Sequence, residues 1–292
     1  MRIGIHTSIA GSLERAALKA AELGANTFQI FSASPRMWRA GEPDPLEIRK
    51  LAAARERFDL TPLVIHDNYL INLAAEDPRI RAMSIEAFRN EVRRALAIGA
   101  EYLVAHPGSY GGQGLERGIC ALVESLREAV HGLKMKRLML LIENTAGGGT
   151  KLGGCFEELR AMRELAANYA EVEIGFCLDT AHLLASGYDV ASEEGLRDTV
   201  RSASRILGIE NVRVIHANDS KTPLGSHVDR HQHIGEGFIG LEGFRRILRH
   251  PKLRTKPFIL ETPRDREGDD RRNMETLKTL CRKRFTTTKP SN

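Results

Sequence analysis

Hydrophobic and polar positions alternate in blocks along the chain. Eight short apolar runs, rich in Val, Ile and Leu, predict strands that are buried on both faces. They lie at 2–6, 26–31, 62–66, 102–106, 138–143, 173–179, 212–216 and 257–261. The stretches between them are rich in Ala, Leu, Arg and Glu, and they predict amphipathic helices. These lie near 12–23, 45–58, 78–97, 115–131, 155–168, 193–207, 240–249 and 270–283.

Repeated strand–helix units predict parallel strands with right-handed crossovers, and eight of them predict a closed barrel. The expected fold class is therefore α/β, a single (β/α)8 TIM barrel. The competing architecture is an open, doubly wound sheet, but no GxGxxG turn follows the first strand. Such barrels commonly use about 250 residues, and the chain has 292. We expect one catalytic domain at 1–284 and a disordered, polar and basic tail at 285–292.

Composition narrows the class of protein. The chain is 42% hydrophobic and 28% charged, as soluble globular proteins are. It has no apolar run near the ~20 residues that span a bilayer, and its first residues leave no room for a signal peptide. We therefore expect a cytoplasmic protein without a membrane partner. Four cysteines without CxxC spacing predict reduced, structural thiols. The net charge of +5 suits a polyanionic partner, although a generally basic surface would give the same value.

Nine side chains of metal-ligand type stand at predicted strand ends or in the loops that follow them. They are His66, His106, Glu143, Asp179, His182, His216, Asp229, His231 and Glu261. Any one of them alone could be a hydrogen-bonded rim residue. A parallel barrel, however, gathers its strand ends at one rim, which predicts a metal site at the C-terminal rim. Five histidines and four carboxylates exceed what one ion can hold, so the pattern predicts a multinuclear site.

Local spacing adds to this prediction. Asp229 and His231 are two residues apart, so in an extended segment both side chains point the same way. Glu143 and Glu261 each end a buried strand, where a carboxylate is costly unless it is paired or bound to metal. His233 continues the alternation and is interpreted as a supporting or an exposed residue. Ligation by His and carboxylate without thiolate suits Zn²⁺, with Mn²⁺ or Fe²⁺ as alternatives.

Longer motifs surround these residues. They read HDNYLINLA (66–74), HPGS (106–109), ENTAG (143–147), LDTAH (178–182), HANDSK (216–221), GSHVDRHQHIGEG (225–237) and LETP (260–263). In these motifs the chain resembles the endonuclease IV family of apurinic/apyrimidinic-site (AP) endonucleases, from the first strand to about Pro263. The resemblance implies a barrel enzyme with three zinc ions per chain that acts on duplex DNA. It would cut the phosphodiester 5′ to an abasic site and leave a 3′-hydroxyl and a 5′-deoxyribose phosphate.

The resemblance also implies residue roles. His66, His106 and Glu143 would hold the first zinc, and Glu143 would bridge to a second zinc shared with Asp179, His216 and Glu261. His182, Asp229 and His231 would hold the third. Glu143 and Glu261 are the implied catalytic residues, with Glu143 as the orienter of, or the base for, the hydroxide that attacks phosphorus. Arg36, Tyr69 and Leu70 would enter the duplex and hold the flipped-out abasic nucleotide.

Four positions depart from the family pattern: Tyr110, Gly148, Ala217 and His227. None of them replaces a metal ligand, so the departures concern loop contacts to DNA. Two rival functions remain open from the sequence: a metal-dependent sugar isomerase on a related barrel, and a zinc- or DNA-binding protein without turnover. Five histidine ligands argue against the isomerase, whose sites generally use oxygen-rich Mg²⁺ or Mn²⁺ ligation. We expect a monomer without an organic cofactor.

Overall fold

Eight parallel strands close into a barrel in a computed structural model, which describes residues 1–135, 137–169 and 172–282. In chain order they are β1 (Ile3–His6), β2 (Thr27–Phe31), β3 (Leu63–His66), β4 (Tyr102–Ala105), β5 (Met139–Glu143), β6 (Ile174–Asp179), β7 (Val212–His216) and β10 (Phe258–Leu260). Each strand pairs with its neighbours in sequence, and β10 pairs with β1 to close the barrel. The predicted (β/α)8 TIM barrel is confirmed. The predicted tail at 285–292 and the domain boundary at 284 lie outside the described residues.

Helices cover the outside of this barrel. They are α1 (Leu13–Glu22), α2 (Pro45–Arg57), α3 (Pro78–Ile98), α4 (Leu115–Val130), α5 (Phe156–Ala166), α6 (Thr180–Ala185), α7 (Glu193–Ile206), α8 (Gly240–Arg249) and α9 (Asp269–Cys281). Helix α3 shows how local sequence sets the bounds. The Asp77 side chain accepts hydrogen bonds from the backbone N–H groups of the first turn, and Pro78 fits there because it has no N–H to satisfy. Gly99 ends the helix in the left-handed conformation at φ 76°. No helix in the described part of the chain is long and apolar enough to cross a membrane.

Two elements differ from the sequence prediction. Helix α6 follows β6 without a loop, because the Asp179 side chain accepts a hydrogen bond from the N–H of His182 and so caps the helix. The segment 217–239, for which the sequence predicted neither helix nor strand, contains an antiparallel pair. Its strands are β8 (Asp219–Ser220) and β9 (His231–Gln232). Both elements lie on the C-terminal rim, directly beside the predicted site.

A layer of inward-facing apolar side chains fills the barrel below that rim. It consists of Val64, Val104, Leu141, Cys177, Val214 and Ile259, all of them fully buried. Each stands two residues before a predicted metal ligand on its strand or just beyond its end. Successive side chains of a strand point to opposite faces, so the ligands face the barrel axis directly above this layer. The apolar layer therefore excludes water beneath the site and strengthens the electrostatic interactions within it.

Candidate metal centre

Eight inward-facing polar side chains form the top layer of the barrel. Six of them are predicted ligands: His66, His106, Glu143, Asp179, His216 and Glu261. His6 at the end of β1 and Gln29 within β2 complete the ring. Most of this ring is buried, and Asp179 and His216 are fully so. The arrangement brings together groups that are as much as 255 residues apart in sequence (6 to 261).

Glu143 lies at the centre of the ring. Its Oε2 lies 3.1 Å from Nε2 of His66 and 3.9 Å from Nε2 of His106. Its Oε1 lies 3.1 Å from Nδ1 of His216. The two carboxylate oxygens thus face two different groups of ligands. One group is His66, His106 and Glu143, and the other is Glu143, Asp179, His216 and Glu261, with ligand atoms within 4.8 Å of one another in each. These are the first and second sets that the resemblance implies.

The third set draws on the two unexpected elements. His182 lies on α6 and His231 on β9, and Asp229 precedes β9. Nε2 of His182 lies 3.3 Å from Asp229, and Nε2 of His231 lies 3.6 Å from the same carboxylate. Asp179 also approaches Nε2 of His231, at 3.5 Å, and it groups with both histidines within 4.8 Å. The geometry therefore allows Asp179 to face the third set as well as the second, which the sequence did not indicate.

Hydrogen bonds on the far side of each ring fix how the histidines face the centre. Nδ1 of His66, His182 and His231 donates to the main-chain carbonyls of Asp67, Asn144 and Glu261, respectively, at 2.9–3.1 Å. His216 is turned the other way, and its Nε2 donates to the Gln29 side-chain oxygen at 2.8 Å. A ring nitrogen that carries the proton leaves the other with a lone pair for a metal. In all four rings the second nitrogen points inward, where it can bind a metal once it has lost its proton.

Burial and ion pairing oppose each other in this cluster. Burial lowers the pKa of His182, but the charge of Asp179 and hydrogen bonds to Asp229 and Glu143 outweigh it, so the pKa lies well above its usual range. The pKa values of His66 and His216 are raised in the same way, whereas burial lowers the pKa of His106. Burial raises the pKa of Glu143, but the neighbouring histidines, with His216 foremost, hold it well below its usual range. Without metal, protons and carboxylates neutralise each other in the centre.

The donor set fits divalent metal ions. Nε2 of His231 is buried and has no hydrogen-bond partner among the described residues. A buried nitrogen without a partner is costly, and a cation between it and the carboxylates of Asp179 and Asp229 would satisfy all three groups. Imidazole nitrogens and carboxylate oxygens are ligands of Zn²⁺ and of related first-row metals. The sulfur of Cys177 also lies within 4.8 Å of ligand atoms of Glu143 and His216, but burial raises the pKa of this thiol to about 11. The clusters of His, Asp and Glu can therefore hold metal ions.

Four supporting residues were missed from the sequence: Gln29, Asn144, Asn218 and Asp219. The amide of Gln29 donates to Glu261 and to His6, while its oxygen accepts from His216. Asn218 donates to Asp179 at 2.6 Å and accepts from the N–H of Glu261 at 2.8 Å. Gln29 carried a usable signal, because a lone polar residue in an apolar strand, in phase with the inward face, is expected to reach the axis.

His233 does not join the centre. Its Nδ1 lies 3.0 Å from the Asn273 side chain, and its Nε2 faces Asp265 and Asp269 at 3.5 and 3.7 Å. It therefore anchors the loop to α9, in agreement with its interpretation as a supporting residue.

Two of the four departures from the family pattern contact each other. A Cβ on Gly148 would lie 2.7 Å from the main-chain oxygen of His227, closer than real Cβ atoms come. Nδ1 of His227 also donates to the Ala146 carbonyl at 3.0 Å. The segment before Asp229 is thus packed directly on the loop after β5. Ala217 is fully buried, and Tyr110 packs against Gly118 of α4.

A cavity of about 750 Å³ opens above the ring. Metal-ligand residues line its floor, and Ile5, Ile9, Phe31 and Leu260 form an apolar wall. Arg36 and Tyr69 line the mouth, with Tyr69 69% exposed and 5.2 Å from Phe31 in an edge-on contact. Leu70 is partly buried beside Tyr69, and its N–H donates to Asn68. The three predicted DNA contacts therefore lie on adjoining loops at the same side of the rim.

Comparisons with known proteins agree with this geometry. The model of the xylose isomerase-like TIM-barrel family matches residues 17–280, so the chain is a barrel of that class. A protein of Solibacter usitatus named "Probable endonuclease 4" is 65% identical over 281 residues, covering 96% of this chain and 97% of the relative. The crystal structure of endonuclease IV from Thermus thermophilus matches with a TM-score of 0.84 and 39% identity, covering 96% of this chain and 98% of that one. The chain therefore belongs to the endonuclease IV family, as the motifs predicted.

A D-tagatose 3-epimerase-like protein is also similar, with a TM-score of 0.69 and 20% identity over 96% of this chain and 97% of that one. At this identity the likeness concerns the fold alone. The barrel by itself does not decide between the nuclease and the sugar enzyme.

Proposed function

We propose that the protein is an AP endonuclease that uses three metal ions to hydrolyse the phosphodiester 5′ to an abasic site in duplex DNA. The products are a 3′-hydroxyl and a 5′-deoxyribose phosphate. The observation that carries the proposal is the convergence of nine His, Asp and Glu side chains into three adjoining sets at one rim, with Glu143 shared between two of them. Membership of the endonuclease IV family supports the same reaction.

Each set of ligands is assigned one divalent ion. His66, His106 and Glu143 would hold the first, Glu143, Asp179, His216 and Glu261 the second, and His182, Asp229 and His231 the third. Zn²⁺ is the proposed metal at all three, with Mn²⁺ or Fe²⁺ as alternatives at single positions. When bound, such ions lower the pKa of water and neutralise charge on a phosphate.

The catalytic carboxylates, Glu143 and Glu261, orient the attacking water. Glu143 reaches the two sets on either side of it and can accept the proton of a water held between them. Glu261 is kept ionised: burial raises its pKa, but His216 and His6 outweigh this and hold the pKa far below its usual range. The amide of Gln29 fixes the orientation of Glu261. The buried apolar layer beneath them keeps bulk water from competing.

Lesion recognition is assigned to Arg36, Tyr69 and Leu70. An abasic nucleotide has no base to stack, so extruding it from the duplex costs less than extruding a paired nucleotide. Tyr69 is exposed next to the apolar wall of the cavity and can replace the lost stacking. Arg36 stands at the mouth of the cavity, where a guanidinium can contact phosphates.

A nicking assay tests the proposal. The substrate is a labelled duplex with one abasic analogue, and an undamaged duplex of the same sequence is the control. We expect cleavage at the 5′ side of the analogue, loss of cleavage after strong chelation, and about three metal ions per chain by elemental analysis. Aldose isomerisation with Mg²⁺ and no nicking would support the sugar isomerase instead. Tight binding of zinc or DNA without turnover would support the non-catalytic alternative.

The proposal extends to the working form of the enzyme. We expect it to act as a monomer in the cytoplasm, without an organic cofactor and without a membrane partner. Light scattering coupled to gel filtration tests the monomer, and a mass of two chains would contradict it.

A further inference from the structure

The loop that carries Arg36 is tied at both ends to one buried side chain of a neighbouring helix. Arg94 lies on α3 and is 8% exposed. Its Nε donates to the main-chain oxygen and the hydroxyl of Ser32, at 3.1 and 3.0 Å. Its Nη2 donates to the same main-chain oxygen, and its Nη1 donates to the main-chain oxygen of Gly41. Arg94 thereby joins the start and the end of the segment 33–40, with Arg36 between them.

The tether is supported from below by Glu91, one turn earlier on α3. Glu91 is 6% exposed, and its carboxylate accepts a hydrogen bond from the hydroxyl of Ser32. Among the described residues, no carboxylate lies within 4.0 Å of the Arg94 guanidinium. Burying a guanidinium costs free energy when its donors bond loop carbonyls and a hydroxyl and no carboxylate. The structural effect of these bonds is to hold the loop in one shape.

A third contact joins this loop to the other recognition segment. Nδ2 of Asn68 donates to the main-chain oxygen of Met37 at 3.2 Å, directly after Arg36. Oδ1 of the same Asn68 accepts the N–H of Leu70 at 2.8 Å, so its side chain also holds the segment of Tyr69 and Leu70. Asn68 thus fixes the distance between the Arg36 loop and the segment of Tyr69 and Leu70. Arg94 holds the two ends of the segment from which the Arg36 side chain projects.

We infer that Arg94 is a positioning residue for lesion recognition, which acts by holding the Arg36 loop in its DNA-binding shape before DNA arrives. The inference rests on the proposed function. A loop that is already ordered loses little conformational entropy on binding, whereas a released loop must be ordered by the DNA. Arg94 does not line the metal cavity, so its loss is expected to weaken substrate binding and to leave the chemical step nearly intact.

Two variants of Arg94 separate shape from charge. Arg94→Met keeps the aliphatic stem and removes every donor, and Arg94→Lys keeps the charge but cannot bond Ser32 and Gly41 together. We expect KM for abasic duplex to rise roughly 10- to 100-fold in both, with kcat changed by less than about threefold. Metal content is expected to stay at the wild-type value.

Arg55→Met is the control. Arg55 also donates to two main-chain oxygens, those of Leu60 and Gly99, and its side chain is 13% exposed. Unlike Arg94, it is also paired with a carboxylate, that of Glu101, at 2.7 Å. Those contacts lie at the opposite end of the barrel, before β3 and β4. Arg55→Met is therefore expected to lose stability without raising KM.

A double-mutant cycle decides whether Arg94 acts through Arg36. If it does, Arg36→Ala combined with Arg94→Met has nearly the same KM as Arg36→Ala alone, because the tether has nothing left to position. KM effects that multiply would overturn the inference, as would an unchanged KM in Arg94→Met. Should Arg94→Met fail to fold, the same cycle is run with Ser32→Ala, which removes the hydroxyl contacts only. A wild-type protein that does not cut abasic DNA would reject the proposed function itself, whereas multiplicative effects in an active enzyme reject only the role of Arg94.

Discussion

Asp219 has no predicted contact with metal or DNA, yet its replacement is expected to disable the third metal set. The residue is fully buried in β8. Its Oδ1 accepts hydrogen bonds from the N–H groups of Ser220 and Ile239, at 2.8 and 2.9 Å. Its Oδ2 accepts from those of Gly235, Gly237 and Gly240, at 2.9, 3.0 and 3.2 Å. One carboxylate therefore accepts five backbone N–H groups, most of them in the turn at the end of the segment 221–239, where α8 begins.

The magnitude follows from counting acceptors after Asp219→Asn. The amide keeps one oxygen, which can replace Oδ2 and retain its three bonds, but the NH₂ group then faces the N–H groups of Ser220 and Ile239. Two buried donors lose their acceptor, at about 1–3 kcal/mol each, so the free energy of unfolding is expected to fall by about 2–6 kcal/mol. The volume of the side chain is unchanged, so no cavity adds to this value.

The loss reaches the metal centre through the β8–β9 pair. Asp219 lies opposite Gln232 and Ser220 lies opposite His231, so loosening β8 displaces His231. We expect urea unfolding to show the lower stability in metal-free protein, and elemental analysis to show the loss of about one of three metals. Nicking is expected to fall roughly 10- to 100-fold.

Asp198→Asn is the control, since Asp198 is an exposed surface residue of α7 whose partners among the described residues are Arg197 and Arg201. Its effect on stability is expected to be below about 0.5 kcal/mol. If Asp219→Asn matched this control in stability and kept its full metal content, the five hydrogen bonds would not hold the loop, and the reasoning would be wrong.

Three further predictions concern the centre itself. Glu261→Gln is expected to lower kcat at least about 100-fold with the barrel folded, because a ligand of the second set loses its charge. His233→Ala is expected to keep kcat within about tenfold of wild type. Near-normal nicking by Glu261→Gln would mean that Glu261 is not a ligand. Gly148→Ala would put a Cβ 2.7 Å from the His227 carbonyl and is expected to cost about 1–3 kcal/mol on urea unfolding, while Gly41→Ala, which has open space, serves as the control. Because the pKa values of His66, His182 and His216 are raised, the metal-free site holds protons at neutral pH that Zn²⁺ must displace. Zinc binding at pH 7 should therefore release protons and weaken as the pH falls. Calorimetry in two buffers of different ionisation enthalpy measures the number of protons released. Binding that releases no protons, or that takes protons up, would contradict the prediction.

The barrel could be predicted from sequence because each strand has a recognisable pattern in its own few residues. A run such as LVIH or MLLIE is apolar on both faces and ends in a polar residue, and eight such runs separated by helices leave few topologies. The convergence of His66, Glu143 and Glu261 then follows from the topology. The ligand roles of these residues remain predictions, although the structure brings their side chains together.

The supporting residues could not be predicted in the same way. Asp219 acts on backbone N–H groups that are up to 21 residues away, and nothing in the local sequence says where those groups lie. The second role open to Asp179 depends on how the β8–β9 hairpin brings Nε2 of His231 within 3.5 Å of it, which no periodicity encodes. The tether by Arg94 is likewise tertiary, since in sequence Arg94 is one more basic residue on an amphipathic helix.

Some metal ligands lie on the barrel strands and others on the loops of the rim, and this difference bears on how enzymes with the same barrel come to act on DNA or on sugars. The first and second sets of ligands come entirely from strands or the residues that directly follow them, so the barrel itself positions them. The third set comes from α6 and from the β8–β9 hairpin with its loop, which lie outside the eight strands of the barrel. Their geometry depends on Asp179 capping α6 and on Asp219 closing the hairpin loop. A D-tagatose 3-epimerase-like protein shares the barrel at 20% identity, so the barrel cannot carry the distinction. It follows that the loss of Asp219 should disrupt the third metal set, and so weaken the proposed phosphodiester cleavage, before it abolishes the fold.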